Sequence, residues 1–158
     1  MLKLFPKYAF ILFTLIIFSC SNSGGENEKV SFEVIHEGSY SAISDKRELI
    51  IYNESQYKEL MNDVYKNLDQ MPKITAVDFK KNSLVAVFIG SRSSGGYQVK
   101  IDSIIETSNN LAVNITETTP GKNCMVTDGI TSPFVILKIT KTEKKAEFKT
   151  KKIEKDCQ

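Results

Sequence analysis

The chain has 158 residues, 41% hydrophobic and 25% charged, with 21 lysines and arginines against 19 acids. Lys3 and Lys7 supply the whole excess, so residues 20–158 hold 19 basic and 19 acidic side chains. That balance gives no ground for nucleic acid or anionic lipid as a partner, and the apolar fraction is that of a folded domain rather than a disordered chain.

Residues 1–19 carry two lysines and no acid, then the apolar run YAFILFTLIIFS, which is short for a membrane span and reads as a secretory signal. The run ends in Ile17-Phe18-Ser19-Cys20. This resembles the lipobox of bacterial lipoproteins, in which an aliphatic and two smaller residues precede a cysteine that is acylated, as with palmitate, and becomes the new N-terminus. Phe18 is bulkier than that pattern expects, and the other reading is an ordinary signal peptide with an incidental Cys20. Residues 20–29, rich in Ser, Asn, Gly and Glu, predict a flexible tether. Residues 30–158 then form a single domain held near a membrane. Ser21 in place of Asp points to the outer membrane of a bacterial envelope.

Within the domain, Val30, Phe32 and Val34 alternate with polar partners as in a half-buried strand, and RELIIYN at 47–53 is a second strand. Asn53 stands where an N-cap belongs, with Gln56 three residues on as its capping-box partner. Tyr57, Leu60, Met61, Val64 and Leu68 follow at helical spacing, predicting one amphipathic helix over 54–68 that Pro72 prevents from continuing. Strands follow: SLVAVFIG at 83–90, apolar enough to be buried on both faces; GYQVKIDSII at 96–105, whose alternation breaks at Asp102-Ser103; and LAVNITET at 111–118, with Leu111, Val113 and Ile115 in phase. FVILKIT at 134–140 and the charged AEFKTKKI at 146–153, an expected edge strand, complete the series. One helix and a meander of strands predict an α+β domain with a mostly antiparallel sheet, barrel- or sandwich-like. The C-terminal lysines alternate with acids and apolar residues and read as a solvated strand face.

Two loops interrupt the strands. Ser91–Tyr97 holds Gly95-Gly96 before Tyr97, which suits a bulged hairpin turn and equally a recognition loop with uncovered backbone N–H groups and an aromatic at its edge. Residues 118–133 are long for a connection, and the turn dipeptides Pro120-Gly121 and Asp128-Gly129, with Pro133 and Cys124, argue for a loop held in shape. Val77-Asp78-Phe79, the strand Leu84–Gly90, Arg92 with Gly95-Gly96-Tyr97, Thr119-Pro120-Gly121, Cys124 and Thr131-Ser132-Pro133-Phe134 occur in an order that resembles the C-terminal domain of the PrcB family of bacterial lipoproteins, over 77–140. Ser93-Ser94 departs from the Pro-Thr expected before the paired glycines. The resemblance implies an accessory subunit that stabilises or helps mature an exported protease and has no catalysis of its own.

The residues hold no competing chemistry. His36 is the single histidine, without a second His or a Cys at ligand spacing, so neither a metal nor another cofactor is expected. GSRSSGG lacks both the nucleophile-elbow spacing and the Gly-Lys-Ser/Thr of a phosphate loop. Once Cys20 is set aside, Cys124 and Cys157 make an even pair in an oxidising compartment, read as a disulfide closing about 34 residues, with two free thiols the alternative. Candidate protein-binding residues are Arg92, Gly95, Gly96, Tyr97, Pro120, Gly121, Pro133 and Phe134, facing an exported protease or another envelope protein. Two further readings stay open: a protease inhibitor with loops of the chagasin type, and a structural or ligand-binding envelope domain.

Overall fold

The computed structural model describes residues 27–157. The predicted signal and Cys20 lie outside them. In chain order the elements are β1 Glu28–Val30, β2 Phe32–Gly38, β3 Lys46–Ile51, α1 Glu54–Tyr65, β4 Asn82–Ile89, β5 Arg92–Ser94, β6 Gln98–Glu106, β7 Asn110–Pro120, β8 Asp128–Thr131, β9 Phe134–Thr140 and β10 Lys145–Lys155. One four-stranded sheet has the order β2-β9-β4-β3, a second has β1-β6-β7-β10, and β5 pairs only with β8.

Alternation decides which side of a strand is buried, and β4 and β9 escape it because both of their sides are covered. Leu84, Ala86, Phe88, Phe134 and Ile136 point to α1 and pack with Tyr57, Leu60, Met61 and Val64. Val85, Val87, Val135, Leu137 and Ile139 point the other way, against Ile101, Ile104, Leu111, Val113 and Ile115 of the second sheet. The domain is therefore three layers, helix on sheet on sheet, and neither sheet closes into a barrel. Both cores and all the strands fall within residues 28–155. Within the domain an apolar run is needed only in the middle layer, and β4 and β9 carry them there.

The cap of α1 forms from the predicted pair. Gln56 N donates to Asn53 Oδ1 at 2.9 Å, while Gln56 Oε1 reaches back to accept from Tyr52 N at 2.9 Å, one residue before the N-cap. The helix ends at Tyr65 instead of 68, and Leu68 is exposed. The break at Asp102 is a bulge in the β6–β7 ladder between Ile101 and Ser103, which returns Ile104 to the inner face.

Three expectations change. Glu28 and Lys29, read as tether, are strand residues that pair with Glu106 and Ile105 of β6. At Ser31 the chain leaves this sheet, and β2 pairs with β9 of the other, so Val34, placed in the core by its phase, is exposed. The edge strand β10 pairs with β7 in parallel, from Lys145 opposite Asn110 to Lys155 opposite Pro120. A meander predicts antiparallel neighbours only where a hairpin joins them, and the β9–β10 connection instead crosses between sheets.

Candidate functional site

Gly95-Gly96 belongs to no hairpin, since β4 and β6 lie in different sheets and the segment between them carries the chain from one to the other. Part-way across, β5 pairs with β8, a strand inside the 118–133 segment expected to be a loop held in shape. Arg92 lies opposite Thr131 and Ser94 opposite Asp128, and Thr131 Oγ1 donates to Ser94 O at 2.8 Å. The two loops are thus one structure. Its exit is tied down where Ser132 N donates to Ser39 O at 3.0 Å and Ser41 Oγ to Ser132 O at 3.1 Å.

Both glycines sit in close approaches, and at Gly96 the backbone itself requires glycine. Gly95 N donates to Thr127 O at 3.0 Å, and a Cβ at Gly95 would overlap Thr127 Oγ1. Gly96 has φ +87°, and a Cβ there would stand 2.9 Å from Pro120 Cβ and 3.0 Å from Val126 Cγ1. Of the pair only Gly96 adopts a positive φ.

Arg92 is committed inward. Its Nη2 donates to Glu117 Oε1 at 2.7 Å, its Nη1 to Ser91 O at 3.1 Å, and its guanidinium lies 5.6 Å from the centre of the Tyr97 ring. Glu117 is only 3% exposed, which makes it a buried carboxylate whose ion pair is this arginine. Glu117 is not among the sequence candidates, although the phase of Leu111, Val113 and Ile115 continues onto it. Cys124 and Cys157 are joined as a disulfide, and Gly121 N donates to Lys155 O at 2.9 Å, so the long loop is pinned to the end of β10 at two points.

Of the candidate binding residues, Arg92, Gly95, Gly96, Pro120 and Gly121 build this junction. Pro133 and Phe134 are buried, Phe134 stacking on Phe88 with ring centres 5.5 Å apart. Tyr97 is half-exposed and lines a cleft of about 1010 Å³. The cleft opens because β2 and β6 diverge after Ser31: Phe32, Val34, Val99, Ile101 and Leu137 line it, and β1 pairs β6 only at Ile104–Glu106. What the junction presents outward is different. Met125 is fully exposed at 101%, Ile130 at 71% and Val126 at 38%, three apolar side chains on a loop that is clamped rather than slack. The signal was available, since an apolar residue in a turn-rich segment has no strand or helix face to bury it. A smaller hollow of about 300 Å³ lies beside Met125 and Val126, and Gln98 and Thr118 line both it and the cleft.

His36 lies on the helix side, away from the loops. Its Nε2 is 2.8 Å from Tyr57 Oη, which itself donates to Thr75 O at 3.2 Å. With that proton committed, the hydroxyl accepts from His36, so Nε2 carries a hydrogen. Burial lowers the His36 pKa from its ordinary 6.5 and pushes Tyr57 up to about 12, with Tyr65 adding to the latter. Among the described residues no three His, Cys, Asp or Glu side chains gather at one place.

Comparison with curated proteins finds no match, and comparison with solved structures finds none either. The family model described as PrcB C-terminal matches residues 83–140. That span opens on the first apolar residues of β4 and closes at the end of β9, taking in both central strands, the β6–β7 pair and the whole β5–β8 junction, while α1 and β10 fall outside it. From β4 to β9, with the two loops between them, the chain is similar to the PrcB C-terminal family.

Proposed function

We propose that the protein is a lipid-anchored, non-catalytic subunit of the bacterial envelope that binds an exported protease, or another exported protein, and stabilises or helps mature it. The observation that carries this reading is the exposure of Met125 and Ile130 on a loop held by a β-ladder, a disulfide and a buried ion pair. Apolar side chains held rigidly in water lose little conformational entropy when a partner covers them. The family match favours a protein partner in a protease complex over a small ligand. Anchoring rests on the sequence from Ile17 to Cys20, and the outer membrane is the proposed location because Ser21 follows.

The binding test uses Met125→Asp with Ile130→Asp, which leaves the junction intact. Capture of the exported partner from envelope extract is expected to fall at least tenfold while thermal unfolding is unchanged. Equal capture removes the loop from the interface. Slower peptide hydrolysis by the captured protease, relieved by the same pair of changes, would instead assign inhibition. Anchoring is checked separately: Cys20→Ala is expected to abolish palmitate incorporation, and unchanged labelling would dismiss it.

A further inference from the structure

The registers of the second sheet sort its charges by face. Over the middle of the sheet the inward positions are apolar, as where Ile101 opposes Ile115 and Phe148 opposes Val113. The alternate positions place Lys29, Lys100, Lys145, Lys149, Lys151 and Lys155 on the outer face, all exposed. Lys100 and Lys151 flank Thr116 from its two neighbouring strands. None of the six is in an ion pair among the described residues. The acids of this face are Asp102, which accepts from Thr116 Oγ1, and Glu147. Six lysines against two acids give the face +4, and since residues 20–158 hold 19 of each sign, the remainder of that stretch carries −4. The even whole-chain balance therefore conceals a polarised molecule.

We propose that the outer face of this sheet lies against the anionic headgroups of a lipid bilayer. Charge complementarity argues for that occupant: lysines on long flexible stems spread over three of the four strands suit a laterally mobile array of negative headgroups better than one small anion. The course of the chain agrees with it. The apolar run and Cys20 precede residue 27, and the first described strand is β1, on the edge of this same sheet with Lys29 on its outer face. The eight residues from Cys20 to Glu28 reach at most about 30 Å, so a domain attached there stays within reach of the headgroups. The Met125 and Ile130 loop lies outside this sheet and remains available to a partner. The inference rests on the membrane-anchored reading above.

The test reconstitutes the full chain in vesicles of phosphatidylcholine alone or with phosphatidylglycerol, and reads the reactivity of each lysine toward a water-soluble amine reagent by mass spectrometry. Lys100, Lys149 and Lys151 are expected to react several-fold more slowly in the anionic vesicles only, and high salt is expected to restore them. Lys58 and Lys66, at the helix on the opposite side of the domain, are expected to react alike in both. Equal reactivity of the sheet lysines in the two vesicles overturns the proposal, and so does slowing in both lipids or at the helix lysines. In a second arm, Lys149→Gln with Lys151→Gln is expected to lose the residual protection of Lys100; protection that persists in that variant also overturns it. Failure of Cys20 labelling would remove the anchor without altering this comparison, because both vesicles contain the same reconstituted protein.

Discussion

At the scale of single residues, two polar groups carry more of the structure than their neighbours. Arg92 is the ion-pair partner of buried Glu117 and also holds the Ser91 carbonyl, so Arg92→Ala strands a carboxylate in the interior. The expected loss is about 3 kcal/mol, or a fall of roughly 10 °C in Tm by calorimetry, with Arg92→Lys recovering only part because an ammonium cannot span both acceptors. His36 works in the opposite sense, being stable only while neutral. Its folded pKa lies below 6.5, so the unfolded chain binds the extra proton first, and stability present above pH 6.5 is lost as pH falls through the folded value. Denaturant midpoints between pH 7.5 and 5 are expected to decline in the native chain and to flatten in His36→Gln (~pH range of imidazole titration). Arg92 was legible as a motif residue, whereas its role was not, because Glu117 reaches it from a strand 25 residues away and no local pattern pairs them.

At the scale of elements, the fold was readable wherever one face of a strand or helix is buried. The stripe from Tyr57 to Val64, the cap at Asn53 and the phases of β6 and β7 follow from periodicity alone. What escaped was pairing between segments: β5 with β8, too short for any period, and β10 with β7, whose direction depends on a crossing between sheets. The disulfide binds these two surprises together, since Cys124 sits in the β7–β8 loop and Cys157 just past β10. Cys157→Ser, or reduction, is expected to remove about 3 to 4 kcal/mol on the chain-entropy account. It is also expected to expose the 121–131 loop to protease before the sheets unfold, giving a first cleavage there by mass spectrometry; simultaneous cleavage throughout the domain would show that the ladder and the ion pair contribute nothing to holding the loop.

For the whole molecule, the layering explains which candidate residues turned out to be structural. Phe134 and Pro133 belong to the end of the middle layer, where both sides are covered, and a sequence pattern cannot distinguish a proline-aromatic pair at a loop exit from the same pair at a surface. Met125 and Ile130 stand outside all three layers, and that is why they are free to meet another protein. The passage of the chain through Ser31 has a mechanical meaning as well. A load entering at residue 27 meets the three pairings of β1 on β6 first and, past Ser31, the six of β2 on β9. The sheets resist such a pull in series rather than together. Peeling β1 lengthens the chain by about 10 Å while β2 still grips the middle layer, so the domain possesses a short extensible leash that yields before either core does.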